Sequence, residues 1–235
     1  MALPVLDTPK HKCILPSTGE TVNYRPFLVG EQKVLLVAQE SENANEQISE
    51  MVRLINVCCD DIDANELATI DLEYLFLQLR IKSVGETADI QMECEHCNEL
   101  NKVTVQLDQT IVEEPEKVID NVVKITDTIS IDLKTPSYQI VNSVNLENSE
   151  DPKVIFEVVS KCINSIIDGD EIHTRDDFSD KELMSFLDSM SMDMFEKIQA
   201  FFVNVKKLKI NGSYDCEKCE KNNSYELMGI GNFFG

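Results

Sequence analysis

Basic residues are scarce in this sequence. The 235-residue chain has 21 Lys and Arg residues against 43 Asp and Glu residues, which gives a formal net charge of −22. A surface of this sign repels phosphate backbones, so the charge argues against nucleic-acid binding through a basic groove. It favours a basic protein partner or high solubility, and the plainest interpretation is a solvated acidic surface without a specific role.

Long hydrophobic runs are also missing. No apolar segment approaches the roughly 20 residues that span a bilayer, so we expect no membrane span. The first residues, MALPVLDTPKHKC, lack the basic region and apolar stretch of a secretory signal. We therefore expect folding in a reducing cytosol, where the eight cysteines are thiols or metal ligands rather than disulfides.

Sequence signals of catalysis are lacking as well. The chain has no Gly-rich phosphate loop, and nothing pairs His11 or His173 with a nucleophile. The acidic stretch CDDIDANE has carboxylates but lacks the glycine and the spacing of a calcium loop. With 43% apolar residues the chain can bury an ordinary core. These features predict a globular protein that is not an enzyme.

The first part of the chain predicts a hairpin followed by helices. Residues 10–28 alternate apolar and polar on either side of the turn PSTGE, as two short strands do. After Gly30 the apolar spacing becomes helical, and ESENAN divides two predicted helices. A third helix is predicted at IDLEYLFLQLRIKSV, which is apolar enough to be buried. Residues 1–85 thus form a hairpin and helical subdomain.

The middle of the chain predicts an insertion of strands and helices at residues 109–204. The acidic stretch IVEEPEK, with Pro115, predicts a boundary or an exposed loop. NVVKITDTISIDLKTPS alternates as strands do. Three helices are predicted at DPKVIFEVVSKCINSII, at SDKELMSFLDSM, where Ser179 and Glu182 have capping-box spacing, and at SMDMFEKIQAFFVNV.

Two C-x-x-C pairs, CEHC and CEKC, each lie between strand-like runs, in residues 86–108 and 205–235. Two such turns present four thiolates, which complete the tetrahedral shell of a zinc ion. The entropy of closing the intervening loop grows only logarithmically with its length, so the long separation is no obstacle. We therefore predict one structural Zn²⁺ site, closed to substrate. Its ligands are Cys94, Cys97, Cys216 and Cys219.

Two other interpretations of these cysteines stay open. A thioredoxin-like redox pair needs a helix after the motif to lower the thiol pKa, whereas these motifs lead into strand-like residues. Disulfides within or between the pairs are the other alternative. His96, inside the first pair, is expected to point to solvent. The remaining cysteines are expected to be small buried hydrophobic residues; they are Cys13, Cys58, Cys59 and Cys162.

The segment NYRPFLVGEQKVLLVA has RPF at the end of a strand and GEQKVLL at the start of a helix. It resembles the baseplate hub proteins of T-even-type contractile-tailed phages, a family that includes hub-assembly factors. The likeness continues through LEYLFLQLRIKSVGE and the first cysteine pair, and covers about the first 110 residues. The positions that match the motif are Arg25, Pro26, Phe27, Glu31 and Lys33. The resemblance implies a non-enzymatic building block or assembly helper and assigns no function to single residues; Pro26 is expected to stiffen the chain and Phe27 to be buried.

Two segments are candidate partner surfaces. MSFLDSMSMDMFEKIQAFF holds four Met and four Phe residues, which either form ordinary core or adapt to a partner. The chain ends in ELMGIGNFFG, where an exposed pair of Phe233 and Phe234 would favour aggregation unless it docks. We predict docking into a neighbouring subunit, with docking on its own domain as the alternative.

These observations predict an α+β protein with a helical N-terminal subdomain and a zinc-ribbon-like pair of β-hairpins that carries a strand-and-helix insertion. The predicted function is that of a structural subunit or assembly factor of a phage baseplate hub. Its partners would be other hub proteins in a hetero-oligomeric assembly, and its locations the host cytoplasm and then the virion tail. The alternatives are a zinc-ribbon adaptor or regulator and a thiol redox enzyme.

Overall fold

The computed structural model describes residues 7–39, 44–117, 120–143 and 152–229. The chain divides into two compact units. The first consists of Met1–Ala64, Ile70–Glu113 and Lys206–Gly235, and the second of Asn65–Thr69 and Glu114–Val205. Both contain helices and antiparallel strands, which confirms the predicted α+β class. The predicted three-part division of the chain stays a prediction.

The first unit begins with the predicted hairpin. Strand β1 (His11–Ile14) pairs antiparallel with β2 (Thr21–Tyr24). In the turn between them, Gly19 has φ of +75°, a left-handed conformation that glycine adopts without strain. The N–H of Leu15 donates to the carbonyl of Glu20 at 2.8 Å and closes the turn. The turn predicted at PSTGE is therefore confirmed.

The predicted helices follow the hairpin as α1 (Val29–Gln39), α2 (Ala44–Cys58) and α3 (Thr69–Ser83). Helix α3 is densely buried, as its apolar composition predicts. Its buried apolar residues are Leu72, Leu75, Phe76, Leu77, Leu79 and Ile81. Among the helices that the structure describes, none has the length and hydrophobicity needed to cross a bilayer.

Two more hairpins complete the first unit. Strand β3 (Thr87–Glu93) pairs with β4 (Leu100–Gln106), and β10 (Lys207–Asp215) pairs with β11 (Asn222–Met228), both antiparallel. Strand β5 (Ile111–Glu113) adds to the free edge of β10. IVEEPEK was predicted to be a boundary or an exposed loop. The loop was wrong for these three residues, whereas the division between the two units does fall within the stretch, after Glu113. A strand this short is stabilised by a partner that is distant in sequence, so no local pattern shows it.

One hydrophobic core joins both hairpins to helix α3. Its buried members are Leu77, Ile81, Ala88, Val103, Val105, Leu107 and Ile210. Partly buried residues of the strands pack against them, among them Met92, Tyr214 and Tyr225. Burial of this shared apolar surface holds the hairpin of β10 and β11 against the hairpin of β3 and β4, and this contact needs no metal ion.

The second unit contains a four-stranded antiparallel sheet. Its strands, in spatial order, are β6 (Val122–Lys124), β7 (Ile129–Leu133), β8 (Ile163–Asp168) and β9 (Glu171–Thr174). The first two are the strands predicted from the alternation in this region. Strands β8 and β9 form a hairpin around Gly169, which has φ of +59°.

The helices of the second unit are α4 (Tyr138–Ser143), α5 (Pro152–Cys162), α6 (Asp180–Asp188) and α7 (Met192–Val203). The prediction that a helix runs through INSII was wrong, because α5 ends at Cys162 and β8 begins at Ile163. There the β-branched isoleucines pair with β7 instead. Helix α4 was not predicted.

The capping box predicted at α6 is present. The N–H of Glu182 donates to Oγ of Ser179, and the Glu182 carboxylate accepts from the N–H of Ser179 at 2.8 Å. The Met- and Phe-rich segment around it is mainly core. Phe195 and Phe201 are buried, five more of its Met and Phe residues pack against that core, and Met192 is 69% exposed. Ordinary packing thus explains most of this segment.

Candidate metal centre

The two C-x-x-C pairs occupy equivalent turns at the tips of two hairpins. We call residues 94–99, between β3 and β4, the first cysteine turn, and residues 216–221, between β10 and β11, the second cysteine turn. The strands end in register, with Glu93 opposite Leu100 in one hairpin and Asp215 opposite Asn222 in the other. The predicted strand, turn, strand context is therefore confirmed for both pairs.

The backbone of the two turns is nearly the same. The N–H of Cys94 donates to the carbonyl of Glu99 at 2.9 Å, and the N–H of Cys216 donates to that of Lys221 at 2.9 Å. Each turn also has one left-handed residue, Asn98 with φ of 58° and Glu220 with φ of 57°. Asparagine adopts this conformation readily and glutamate does so less often. The two cysteine turns therefore have the same backbone conformation.

The four sulfur atoms lie together. Sγ of Cys94 is 3.7 Å from Sγ of Cys219, and Sγ of Cys97 is 3.6 Å from Sγ of Cys216. All four lie within 4.8 Å of one another. A tetrahedron of sulfurs at the Zn–S distance of about 2.3 Å has edges of about 3.8 Å, so this donor set fits a zinc ion.

The sulfurs are too far apart for disulfides, whose S–S bond is about 2.0 Å long. All eight cysteines lie within the described residues, and each is free. Short sulfur distances connect the two hairpins, from Cys94 to Cys219 and from Cys97 to Cys216. Each motif also leads into a strand. This arrangement differs from the helix-bound pair of a redox enzyme.

Backbone N–H groups favour thiolates in the cluster. The N–H of Cys219 donates to the sulfur of Cys216 and lowers its pKa to about 6. Burial raises the pKa of Cys94, but N–H groups of its own turn outweigh burial and lower it. For Cys97 a backbone N–H also lowers the pKa, yet burial and the neighbouring thiols raise it to about 12. Part of the cluster is thus poised to be anionic, the form that binds metal.

Two buried asparagines, which sequence reasoning missed, connect the turns. Oδ1 of Asn101 accepts from the N–H of Glu217 at 2.9 Å, and Oδ1 of Asn223 accepts from the N–H of Glu95 at 3.0 Å. Both side chains are 2% exposed. A sequence signal was present, because CEHCNELN and CEKCEKNN both read C-E-x-C-x-x-x-N.

Two further contacts link the hairpins near the cluster. Nζ of Lys218 lies 2.6 Å from a carboxylate oxygen of Glu99, and the hydroxyl of Tyr214 donates to the carbonyl of Glu93 at 3.1 Å. Lys218 is 63% exposed, so its ion pair is screened by water. These contacts add to the alignment of the two turns and bring no further ligand to the cluster.

His96 and the other cysteines lie as the sequence predicted. His96 is exposed on the first cysteine turn. The four remaining cysteines are buried, at 0–7% exposure. Burial raises the pKa of Cys13 to about 11 and that of Cys162 to about 12, so both stay protonated thiols. They behave as small hydrophobic core residues.

The RPF and GEQKVLL positions meet at the start of helix α1. Arg25 donates to the Glu31 carboxylate from both terminal guanidinium nitrogens, Nη2 at 2.7 Å and Nη1 at 3.0 Å, and also donates to the carbonyl of Pro26. Glu31 accepts from the N–H of Leu28, the residue before the helix, as the third residue of a capping box does. The motif therefore joins the end of β2 to the first turn of α1.

The other motif residues divide between core and solvent. Phe27 is 8% exposed, as expected of a core residue, and its N–H donates to Oγ of Ser83 at 2.9 Å. Lys33 is exposed. The predicted pair of Phe233 and Phe234 lies outside the described residues.

Residues 8–235 match the family described as T4 bacteriophage base plate protein. The chain belongs to this family. Comparison with curated proteins and with solved structures gave no significant match. Membership in this family makes the protein a phage baseplate protein, with other baseplate proteins as its partners. The sequence patterns showed a likeness for about the first 110 residues. The family match covers nearly the whole chain.

In this baseplate protein we expect Arg25 and Glu31 to stabilise the fold as a pair. Their side chains are each 23% exposed and form a two-point contact, so a double-mutant cycle with Arg25→Met and Glu31→Gln should give a coupling of about 1 kcal/mol. The pair Glu50 and Arg53, at 3.4 Å and with Arg53 67% exposed, is a matched control with expected coupling near zero. Urea denaturation measures both cycles. Equal couplings would contradict the prediction.

The stability that Arg25 and Glu31 contribute as a pair should depend on pH. The hydrogen bond from Arg25 lowers the pKa of Glu31 below its ordinary value of 4.5, with burial opposing and the Leu28 N–H assisting. A carboxylate with a lowered pKa contributes stability above its ordinary pKa and loses it as the pH falls through the folded-state value. The coupling should thus be complete at pH 7 and should decline as the pH is lowered below about 4.5.

Proposed function

We propose that the protein is a subunit or assembly factor of the baseplate hub, acting through protein–protein contacts. Membership in the baseplate family carries the proposal. The likeness of NYRPFLVGEQKVLLVA to hub proteins supports the more specific assignment to the hub. We propose that the protein is made in the host cytoplasm and joins the other hub proteins in a hetero-oligomeric assembly.

Helix α1 supports a role in protein–protein contacts. Val29 is 72% exposed, Leu36 52% and Val37 70%, although all three are apolar. Leu35, on the same helix, is 7% exposed and faces the core. A helix that is apolar on more than its core-facing side is typical of a surface that another subunit covers.

We further propose that Cys94, Cys97, Cys216 and Cys219 hold a structural zinc ion. Four thiolates fill a tetrahedral shell, so no position is open for a substrate or a water nucleophile. The ion would connect the two hairpins, and its binding free energy would become folding free energy. Zinc would thus stabilise the protein that enters the assembly and would take no part in catalysis.

Sedimentation of lysates from phage-infected cells tests the hub assignment, with the full chain detected by an antibody. We expect the protein to sediment with hub and baseplate intermediates. If it is a subunit it also stays in purified mature tails, and if it is an assembly factor it is absent from them. A protein found only in the slowly sedimenting soluble fraction at all times after infection would contradict the proposal and favour the adaptor alternative.

The same sedimentation experiment tests the C-terminal contact. We propose that Phe233 and Phe234 dock into a neighbouring subunit. Deletion of residues 232–235 should then reduce the fraction that sediments with assemblies, while circular dichroism of the purified chain stays unchanged. A matched control is the substitution of Asn232 by Ser, which leaves both rings in place. Unimpaired assembly of the deletion variant would remove this proposal.

A further inference from the structure

The hydrogen bonds of Asn101 and Asn223 are reciprocal. Nδ2 of Asn101 donates to the carbonyl of Glu99 at 2.8 Å, within its own turn, while its Oδ1 accepts from the second turn. Nδ2 of Asn223 donates to the carbonyl of Lys221 at 2.9 Å, while its Oδ1 accepts from the first turn. We call these two sets of bonds the asparagine bridges. Each bridge fixes one turn to the other through a single side chain.

The bridged atoms lie next to the proposed ligands. The N–H groups that the bridges bind belong to Glu95 and Glu217, the residues immediately after Cys94 and Cys216. The bridged carbonyls belong to Glu99 and Lys221, which also accept the N–H bonds that close the two turns. The bridges therefore hold each turn at both of its ends.

No metal ion takes part in these bonds. A buried amide without a hydrogen-bond partner is unfavourable, so the paired arrangement is favoured in the folded chain whether or not an ion is bound. The cluster has its sulfurs 3.6–3.7 Å apart across the hairpins while these bonds are made. The spacing that a metal needs is thus compatible with the bridges.

We infer that Asn101 and Asn223 are positioning residues that align the two cysteine turns and so preorganise the four thiolates for a metal ion. The inference rests on the proposed zinc site. Preorganisation raises affinity because less ordering remains to be done on binding. Residues that support metal ligands through hydrogen bonds typically change metal affinity about 10–100-fold when substituted.

The chain offers a matched control for one bridge. Asn222 is the neighbour of Asn223 on the same strand, and its Nδ2 donates to Asp215 at 2.9 Å within one hairpin. Asn222 is exposed, and its bond does not connect the two turns. Asn222→Ala thus removes an asparagine of the same hairpin without removing a bridge.

The test measures zinc affinity of the full reduced chain by competition with a chromophoric chelator, for Asn101→Ala, Asn223→Ala, the double variant and Asn222→Ala. We expect the double variant to bind about 10–100-fold more weakly than the unsubstituted chain, and Asn222→Ala to bind within about twofold of it. Cobalt absorption at saturation should still report a tetrahedral four-thiolate site in every variant, because no ligand is lost. If the double variant does not fold, the two single variants carry the comparison.

A second measurement separates alignment from general stabilisation. Hydrogen exchange in the metal-free chain should show that the N–H groups of Glu95 and Glu217 are protected. Asn223→Ala should remove the protection of the Glu95 N–H, and Asn101→Ala should remove that of the Glu217 N–H. Variants that bind zinc as tightly as Asn222→Ala would overturn the inference while leaving the zinc site intact. An unsubstituted chain that binds no zinc would instead overturn the zinc site itself, and this inference with it.

Discussion

One zinc ion per chain is the expected result of elemental analysis on protein purified under reducing conditions without added zinc. The reason is the donor set, in which four thiol sulfurs lie within 4.8 Å of one another at spacings close to a tetrahedral edge. Cys94→Ser and Cys216→Ser each remove one ligand, from different hairpins. Both variants should therefore lose the ion.

Loss of the ion should also lower stability. Metal binding free energy becomes folding free energy when the site exists only in the folded chain, so we expect each variant to melt roughly 10 °C or more below the unsubstituted protein. Cys162→Ser is a matched control, because Cys162 is a buried cysteine of helix α5 and not a member of the cluster. It should retain one zinc ion per chain, whatever its own effect on melting.

Two other results would contradict this prediction in different ways. Zinc lost in Cys94→Ser but retained in Cys216→Ser would show that the two pairs do not share one site. Absence of metal, with thiols that rapidly reduce a standard disulfide and lose this activity in Cys94→Ser, would favour the redox alternative. The sulfur distances across the hairpins favour the shared site over either result.

Gly212→Ala is expected to have the second largest effect. Gly212 on β10 lies directly opposite Tyr225 on β11, and the tyrosine ring covers it. A Cβ atom at Gly212 would come closer than 3.0 Å to this ring, a distance that folded proteins essentially never show. The ring would have to leave its place against the core that Ile210 and Val105 help to form. We expect a loss of about 1–3 kcal/mol in the free energy of unfolding.

Urea denaturation with two further variants tests the mechanism. Gly30→Ala is the matched control, because a Cβ there meets no atom within 4 Å and Gly30 lies in the first turn of helix α1. It should be neutral or should stabilise by about 0.5–1 kcal/mol. In a Tyr225→Ala background the Gly212→Ala change should cost little, since the clashing ring is gone. An equal cost with and without Tyr225 would show that the ring is not the cause.

Local patterns predicted the elements whose causes are local. Alternation with a punctuating Gly19 gave the first hairpin, and Ser179 with Glu182 gave the start of α6. Repeated C-x-x-C spacing gave both cysteine turns, because the motif fixes the geometry of its own backbone. In these cases the residues that determine the structure lie within a few positions of one another.

The wrong predictions concern elements that depend on distant partners. Strand β5 exists because β10 offers it an edge, and the isoleucines of β8 leave the predicted helix because β7 pairs with them. The asparagine bridges were missed for a similar reason. Asn101 and Asn223 look like ordinary polar residues until their partners in the other turn are known.

The sequence by itself determined the chemical character of this protein: an acidic α+β chain with two C-x-x-C pairs and a motif that resembles baseplate hub proteins. Only the tertiary structure decided that the two thiol pairs meet, that Asn101 and Asn223 form hydrogen bonds between the two turns and that Arg25 binds Glu31. Residue type and spacing set what a side chain can do, and local spacing sets the shape of each turn. Whether the two turns meet depends on a shared core, which residues far apart in the chain form when they are buried together. Only the folded structure shows which residues these are.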